Sequence, residues 1–356
     1  MTGLFEPLRI NQMVLKNRFV RSATLDGLAD KGMVTDAEVQ MYDELARGEV
    51  GLIISHGLAP TREGQASPGQ LSAYSDEAIP SLRRLTQVVH DNGGMIVAQI
   101  LHGGWMCRPE VTGFQPVGPS ALLHPRSGQA IRELSGEDII SLIDDYVQAA
   151  RRVVEAGFDG VQLHGAHSWL LSAFLSPATN KRDDDWGGSA ARRASFVRHI
   201  CRGIRKMAGP NYPLMVKLGI RDYHPEGKTA EEGVETARML EADGVDAIEV
   251  SEGLEQDFFH HIRPDAVVPY YLDECAQTRA SISIPVILVG GIRTLKDMQK
   301  VVGDGVADAV SMCRPFIMNP ALVKDIHAAV ALGSNCTSCN ACLGLMAKGR
   351  LACALT

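Results

Sequence analysis

The sequence predicts an α/β fold: a (β/α)8 TIM barrel with a short cysteine-rich C-terminal extension. Eight short apolar runs recur along the chain, and amphipathic segments separate most of them. A length of 356 residues is ordinary for one such barrel. Closing eight parallel strands on themselves also removes the exposed edges that an open sheet would leave.

The apolar runs define the predicted strands, and the segments between them define the helices. Strands are predicted at residues 18–22, 50–55, 95–101, 160–163, 214–218, 247–250, 286–289 and 309–312. Helices are predicted at residues 79–92, 135–156, 189–207, 229–242 and 295–303. Ser135, followed by Glu137 and Asp138, is typical of a helix start. Long insertions are predicted at 103–134 and 251–276, where loops after strands build the active-site face.

A doubly wound open sheet is the alternative fold. It is disfavoured because no Gly-x-Gly-x-x-Gly turn follows the first strand. We therefore divide the chain into a barrel at residues 1–333 and a cysteine-rich tail at residues 334–356 that packs on it.

Composition narrows the classes of function. A formal net charge of −7 argues against nucleic acid and anionic membrane surfaces as partners. No apolar run approaches the length needed to span a bilayer. The N-terminal residues lack the basic and apolar regions of an export signal, so we expect a cytoplasmic protein.

Two neighbouring strand ends predict a phosphate site. Gly290 and Gly291 follow the seventh strand, and Arg314 follows the eighth. Paired glycines let backbone N–H groups approach an anion closely, and a guanidinium has the fork geometry that suits phosphate. A tight turn is the alternative role for the glycines, but Arg314 on the adjacent strand favours phosphate. FMN fits such a site, and without the remaining motifs other phosphorylated ligands would fit it as well.

Two histidines, His164 and His167, directly follow the fourth strand, at the barrel end where α/β barrels carry their chemistry. Donors spaced three residues apart converge on one oxygen atom if the segment turns helical. A zinc site is one alternative, although no third ligand has suggestive spacing. Two core histidines with purely structural roles are the other alternative.

Three segments carry a resemblance to a known family: Leu4 to Leu8, His164 to Trp169, and Phe174 to Ser189. They resemble the Old Yellow Enzymes, and most closely the bacterial branch that includes 2,4-dienoyl-CoA reductases. The resemblance implies FMN on a TIM barrel, with NAD(P)H as co-substrate. It also implies hydride transfer through flavin N5 to an electron-poor alkene, such as an enone or enoyl thioester. Its relatives are commonly homo-oligomers, and we expect the same here.

The resemblance assigns the cofactor contacts. They are Ser22, Ala23, Thr24, Gly57, Gln99, Lys217, Gly290, Gly291, Cys313 and Arg314. Gln99 matches the amide at the isoalloxazine edge, and Lys217 matches the cation near flavin N1 and O2. A strand lysine is otherwise costly to bury, which favours a functional role. Leu25 stands where many relatives place a Thr or Cys near flavin O4, so that hydrogen bond is absent or supplied by Thr24.

The resemblance also assigns a catalytic set of His164, His167, Trp169 and Lys217. The histidines are expected to donate hydrogen bonds to an activating oxygen of a small-molecule substrate. Trp169 occupies the position at which most of the family carries a tyrosine that acts as proton donor. Because an indole N–H is far too weak an acid for that task, either water or another acid supplies the proton, or the reaction needs no donor at this position.

Other aromatic residues offer alternatives around this position. Tyr74, Tyr223 and Tyr271 follow strands and are candidates for the proton donor, with packing or surface roles as the alternative. Trp169 and Trp105 are predicted to stack on a flat substrate.

The tail contains four of the eight cysteines: Cys336, Cys339, Cys342 and Cys353. Their order resembles the [4Fe–4S] motif of the dienoyl-CoA reductase and trimethylamine dehydrogenase branch, with compressed spacing. Zinc or no bound centre are the alternatives. Such relatives usually continue into a second redox domain, so here a separate redox partner protein is expected to supply electrons. Without a cluster, NAD(P)H would reduce FMN directly.

Two further functions stay open at this stage. One is a flavin-dependent dehydrogenase that runs in the oxidative direction. The other is an FMN and iron–sulfur electron-transfer subunit that works with a partner.

Overall fold

The computed structural model describes residues 3–255, 269–346 and 351–355. Eight parallel strands form a closed barrel, which confirms the predicted fold. They are β1 (Phe19–Arg21), β2 (Leu52–Leu58), β3 (Ile96–Ile100), β4 (Gly160–Gly165), β5 (Leu214–Tyr223), β6 (Ala247–Glu255), β7 (Val286–Val289) and β8 (Ala309–Met312). The barrel closes where β8 pairs with β1, with Val310 opposite Phe19.

Each predicted strand overlaps one strand of the barrel. The largest errors are in β5 and β6, which run five residues past the predicted ends at 218 and 250. Polar residues such as Ser251 and Glu252 end the apolar run of β6, although its backbone continues to pair with β5. The predicted insertion at 251–276 is therefore shorter at both ends, and residues 256–268 lie outside the described part of the chain.

Among the described residues, eight helices surround the barrel. They are α1 (Asp36–Arg47), α2 (Ala78–Asp91), α3 (Gly136–Glu155), α4 (Ser195–Ala208), α5 (Ala230–Ala242), α6 (Leu272–Arg279), α7 (Leu295–Gly303) and α8 (Leu322–His327). The predicted start of α3 is confirmed, because the Ser135 side chain accepts a hydrogen bond from the Asp138 backbone. The helix predicted at 189–207 is in fact two, Ala190–Arg193 and α4.

The loops contain short helices and short strands. The helical ones are Gly104–Met106, Pro109–Thr112, Leu170–Leu175, Arg314–Met318 and Ala341–Met346. The extended ones are an antiparallel hairpin of Leu8–Ile10 with Met13–Leu15, and a parallel pair of Val117–Gly118 with Arg132–Glu133.

The core explains why a cavity can open only at one end of the barrel. Apolar side chains from the strands fill the interior of the barrel towards the amino ends of the strands. The N-terminal hairpin buries Ile10 and Leu15 against these side chains. A larger apolar layer separates the strands from the helices. The hairpin closes the amino end, so the carboxyl ends of the strands are left for a site. Within the described residues, none of the helices is both long and apolar enough to cross a membrane.

Candidate active site at the carboxyl end of the barrel

A cavity opens where the strands end, the position at which α/β barrels carry their sites. Nine of the predicted cofactor and catalytic residues line it: Ser22, Ala23, Thr24, His167, Lys217, Gly290, Gly291, Cys313 and Arg314. The fold thus brings together side chains that are almost 300 positions apart in sequence.

Other residues of the cavity wall were not predicted from the sequence. They include Ser251 and Tyr270, together with Asn340, Leu343, Met346 and Leu351 from the tail. Ser251 was detectable in principle, because it lies near the carboxyl end of β6. The tail residues had no such signal, since only the tertiary structure folds them over the barrel mouth.

One side of the cavity suits an anionic group. Gly290 and Gly291 have φ angles of +106° and +73°, which most residues avoid. A Cβ atom on Gly290 would lie 2.9 Å from Cδ2 of Tyr270. The Tyr270 hydroxyl is buried and has no hydrogen-bond partner among the described residues. A buried donor without a described partner, on the same cavity wall as Arg314 and two glycines, fits the phosphate group of FMN.

The Thr24 hydroxyl has two partners within the protein, and its contact with flavin O4 stays a prediction. The hydroxyl lies 3.0 Å from the Ser22 carbonyl and 2.9 Å from the sulfur of Cys313. Leu25 lines the cavity but carries no polar side-chain atom. The hydroxyl that the sequence analysis offered for flavin O4 is therefore already engaged by protein atoms.

Lys217 is held in place by two partners. Its ammonium donates to the Ser22 hydroxyl at 2.8 Å and lies 3.5 Å from Oε2 of Glu249. Glu249 also accepts hydrogen bonds from Gln162 Nε2 at 3.0 Å and from the Ser311 hydroxyl at 2.7 Å. The cation on the cavity wall is therefore paired with a buried carboxylate, a partner that the sequence analysis did not identify.

Two predicted cofactor residues lie away from the cavity wall. Gln99 is buried and donates from Nε2 to Gln162 Oε1 at 2.7 Å. Gly57 pairs with Gln99 in the sheet, and a Cβ atom there would lie 2.6 Å from Cβ of Leu101. The glycine thus allows close packing between neighbouring strands, and contact of either residue with a cofactor stays a prediction.

The segment after β4 is not the helical turn that convergence of the two histidines on one oxygen would require. His167 and Ser168 have φ angles of +56° and +63°, in the left-handed region. Their backbone N–H groups each donate at 3.1 Å, to the carbonyls of Glu252 and Gly253 on β6. Two consecutive left-handed residues other than glycine cost about 1–3 kcal/mol each. The hydrogen bonds to β6 stabilise this turn, and a short helix begins only at Leu170.

The turn places only one of the two histidines on the cavity wall. His167 Nε2 lies 2.7 Å from the Ser251 hydroxyl. The His164 ring lies 5.1 Å from that of His167 and nearly perpendicular to it. His164 Nδ1 accepts a hydrogen bond from the Ala166 backbone at 3.3 Å, so the proton of the neutral ring lies on Nε2.

Both histidines are neutral near pH 7. Burial and then the charge of Lys217 lower the pKa of His167 to about 3. Burial, His167 and Lys217 together lower the pKa of His164 well below its usual value. A neutral imidazole donates one hydrogen bond, which is what polarising a substrate oxygen requires. Neither histidine belongs to a group of three potential metal ligands within the described chain, which argues against zinc here.

The tryptophans do not form the predicted stacking platform. Trp105 is buried, and its indole N–H donates to the Ser168 carbonyl at 2.5 Å. It therefore supports the left-handed turn rather than facing a substrate. The half-buried Trp169 ring lies 6.3 Å from His164 and meets it edge-on. Neither tryptophan is part of the cavity wall.

Of the three tyrosines considered as acids, only Tyr271 borders the cavity. The Tyr223 hydroxyl donates to Glu274 at 3.1 Å, and burial raises the pKa of that phenol well above its usual value. Tyr74 lies under the guanidinium of Arg62.

The four tail cysteines line a second, smaller cavity beside the first. Within the described residues, no three of their sulfur atoms lie within 4.8 Å of one another. Left-handed Ser338 and Asn340 turn the chain between the cysteines. Arg314 contacts both cavities and donates to Asn340 Oδ1 at 2.7 Å, and Cys342 also lines both.

A separate buried cluster of Asp26, Glu38 and His56 has the ligand types of a metal site. However, His56 Nδ1 lies 2.8 Å from Asp26, and Nε2 accepts the Leu71 backbone N–H at 2.9 Å. Both ring nitrogens are thus engaged. The cluster instead anchors the loop after β1, directly behind the cavity wall at Leu25.

Comparisons with known proteins give a consistent picture. Residues 3–332 match the sequence profile of the NADH:flavin oxidoreductase / NADH oxidase family. An NADH oxidase of Thermoanaerobacter brockii is 35% identical over 350 residues, covering 96% of this chain and 54% of the relative. An NADPH dehydrogenase of Geobacillus sp. (strain WCH70) is 34% identical over 322 residues, covering 90% of this chain and 92% of the relative. The chain thus spans about half of the first relative.

A comparison with solved structures agrees with the sequence match. A 2-naphthoyl-CoA reductase in complex with 2-naphthoyl-CoA superposes with a TM-score of 0.91 at 31% identity. The similarity covers 95% of this chain and 54% of that protein.

Proposed function

Because the chain belongs to the NADH:flavin oxidoreductase / NADH oxidase family, we propose that it is an FMN-dependent oxidoreductase that reduces an electron-poor alkene with NAD(P)H. The family agrees with the one predicted from the sequence, while the dienoyl-CoA reductase branch stays a prediction. One observation carries the proposal: a single cavity joins the Gly290 and Gly291 pair, the Lys217 cation and His167.

The residues of the cavity have distinct roles in this proposal. Gly290, Gly291 and Arg314 would hold the FMN phosphate, and Lys217 would lie at the flavin ring. Bound FMN supplies hydride transfer through its N5 atom. The neutral ring of His167, oriented by Ser251, donates a hydrogen bond to the substrate oxygen. Polarising that oxygen draws electron density from the conjugated alkene and favours hydride addition at the β-carbon.

The proton for the α-carbon comes from solvent in this proposal. Trp169 cannot supply it, because an indole N–H is too weak an acid. The mouth of the cavity is open, which gives water access. Because the 2-naphthoyl-CoA reductase structure contains a CoA thioester, enoyl and aryl thioesters join enones as substrate candidates.

Anaerobic reduction and reoxidation of the purified protein, loaded with FMN, test this function. NADH or NADPH should bleach the flavin absorbance, and 2-cyclohexenone or an enoyl-CoA should restore it with formation of the saturated product. Flavin that NAD(P)H reduces but no alkene reoxidises would contradict the alkene assignment. Flavin reduced only by an amine or a saturated substrate would indicate a dehydrogenase that runs in the opposite direction.

The four tail cysteines support a second candidate function, that of an electron-transfer subunit with FMN and a [4Fe–4S] cluster. The four cysteines share one cavity, and four thiolates are the ligand set of such a cluster, with zinc as the alternative centre. Because Cys342 also lines the first cavity, electrons from a redox partner protein would enter beside FMN.

Iron and acid-labile sulfide, assayed on anaerobically purified protein, separate these candidates. About four irons per chain, lost in a Cys342→Ser variant, would support the cluster and direct the search to a partner. Bound zinc, or no metal in protein that is fully loaded with FMN, would leave direct reduction by NAD(P)H as the function.

A further inference from the structure

Glu249 is a carboxylate in the interior of the barrel, and none of its surface is exposed. Removing an ionised carboxylate from water is costly unless partners compensate for the lost hydration. Here the compensation is complete on both oxygens: the Ser311 hydroxyl donates to Oε1, and Gln162 donates to Oε2. Lys217 adds a positive charge 3.5 Å from Oε2.

The pairing of Glu249 with Lys217 is built into the sheet rather than into a loop. Glu249 on β6 lies directly opposite Lys217 on β5 in the strand register. Lys217 is on the cavity wall, whereas Glu249 lies behind it. A ligand at the barrel mouth therefore meets the ammonium first, with the carboxylate beyond it.

We propose that Glu249 is a positioning residue that holds Lys217 and sets the strength of its charge at the flavin ring. The inference rests on the proposed binding of FMN in this cavity, but it does not depend on the alkene substrate. Flavin gains negative charge when it is reduced, so a nearby cation raises its redox potential. A carboxylate behind the cation offsets part of that field, because Coulomb interactions add. The pair thus keeps the potential lower than an unpaired lysine would.

Sulfite binding and potentiometry of the FMN-loaded protein test this inference without any turnover. Sulfite adds to oxidised flavin more tightly as the positive charge near the ring increases. Glu249→Gln keeps the shape of the side chain and removes its charge. We expect the sulfite dissociation constant to fall about tenfold. The midpoint potential should rise by about 30 mV, which is that factor converted for a two-electron couple.

Two further variants keep the test decisive. Glu249→Met removes the same charge with a side chain of similar length, and it decides the question if the glutamine variant does not take up FMN. Asp246→Asn is the matched control, because Asp246 precedes the same strand at the opposite end of the barrel and pairs with Arg205. Its sulfite affinity should equal that of the wild type.

The outcomes separate this inference from the function on which it rests. Equal sulfite dissociation constants and equal potentials in the FMN-loaded wild type and both Glu249 variants would overturn the role of Glu249 alone. A wild-type protein that takes up no FMN would instead overturn the proposed function.

Discussion

His167 and Ser251 lie 2.7 Å apart, between the turn after β4 and the strand β6. The backbone of β6 also fixes that turn, because Glu252 and Gly253 accept hydrogen bonds from its left-handed residues. One strand therefore sets both the position of the imidazole and the direction of its ring. This relationship makes Ser251 part of the site, although it carries no chemistry of its own.

Replacing Ser251 tests whether orientation of the ring matters. Ser251→Ala removes one hydrogen bond, so we expect kcat/KM for alkene reduction to fall about tenfold, or roughly 1.4 kcal/mol. His167→Ala should cost more, about 100-fold or greater, because it removes the donor itself. Ser172→Ala is the control, since the Ser172 hydroxyl is buried without a partner among the described residues. Equal rates for the wild type and the Ser251 variant would argue against the orienting role.

Gly290 is expected to be essential for cofactor binding. An alanine would strain the positive φ of +106° and push its Cβ atom against Tyr270. We expect the FMN dissociation constant of Gly290→Ala to rise about 30-fold, or roughly 2 kcal/mol, in a fluorescence titration. Gly303→Ala is the control, because a Cβ atom there meets nothing within 4 Å. An unchanged dissociation constant would place the phosphate elsewhere.

The buried hydroxyl of Tyr270 is predicted to donate to the phosphate of FMN. Tyr270→Phe should raise the dissociation constant of FMN about tenfold, while that of riboflavin, which has no phosphate, stays the same. The hydroxyl of Tyr223 donates to Glu274 instead, so Tyr223→Phe should leave FMN binding unchanged. Equal losses for FMN and riboflavin would show that Tyr270 contacts the ring or acts through packing.

Glu38 makes the stability of the fold depend on pH. Burial and the nearby Asp26 raise the pKa of Glu38 from 4.5 to about 7. Between these values the folded state binds more protons than the unfolded state, so stability falls as pH rises through about 7. Glu38→Gln imitates the protonated acid and can still accept the Thr35 backbone N–H of the helix cap.

Thermal or denaturant unfolding from pH 5 to pH 8 measures this effect. The loss of stability over that range should shrink by roughly 1–3 kcal/mol in Glu38→Gln relative to the wild type. Glu44→Gln, on the exposed side of the same helix, should follow the wild-type profile. Parallel profiles for the wild type and Glu38→Gln would contradict the raised pKa.

The sequence by itself determined the barrel and a group of residues on its cavity wall. A buried parallel strand appears in the sequence as an apolar run. Residues just past the strands lie together at the carboxyl end of the barrel, as Gly290 and Arg314 do. The same logic located His167, whereas Lys217 was assigned by the family resemblance and by the cost of burying a strand lysine.

Only the tertiary structure decided how these residues work. The left-handed turn at His167, the pairing of Lys217 with Glu249 and the tail residues over the cavity depend on contacts between segments far apart in sequence. Hydrophobic periodicity reports which face of a strand is buried, because burial follows from local pattern. It does not report which polar groups meet across the barrel, because strand register and loop packing set that contact.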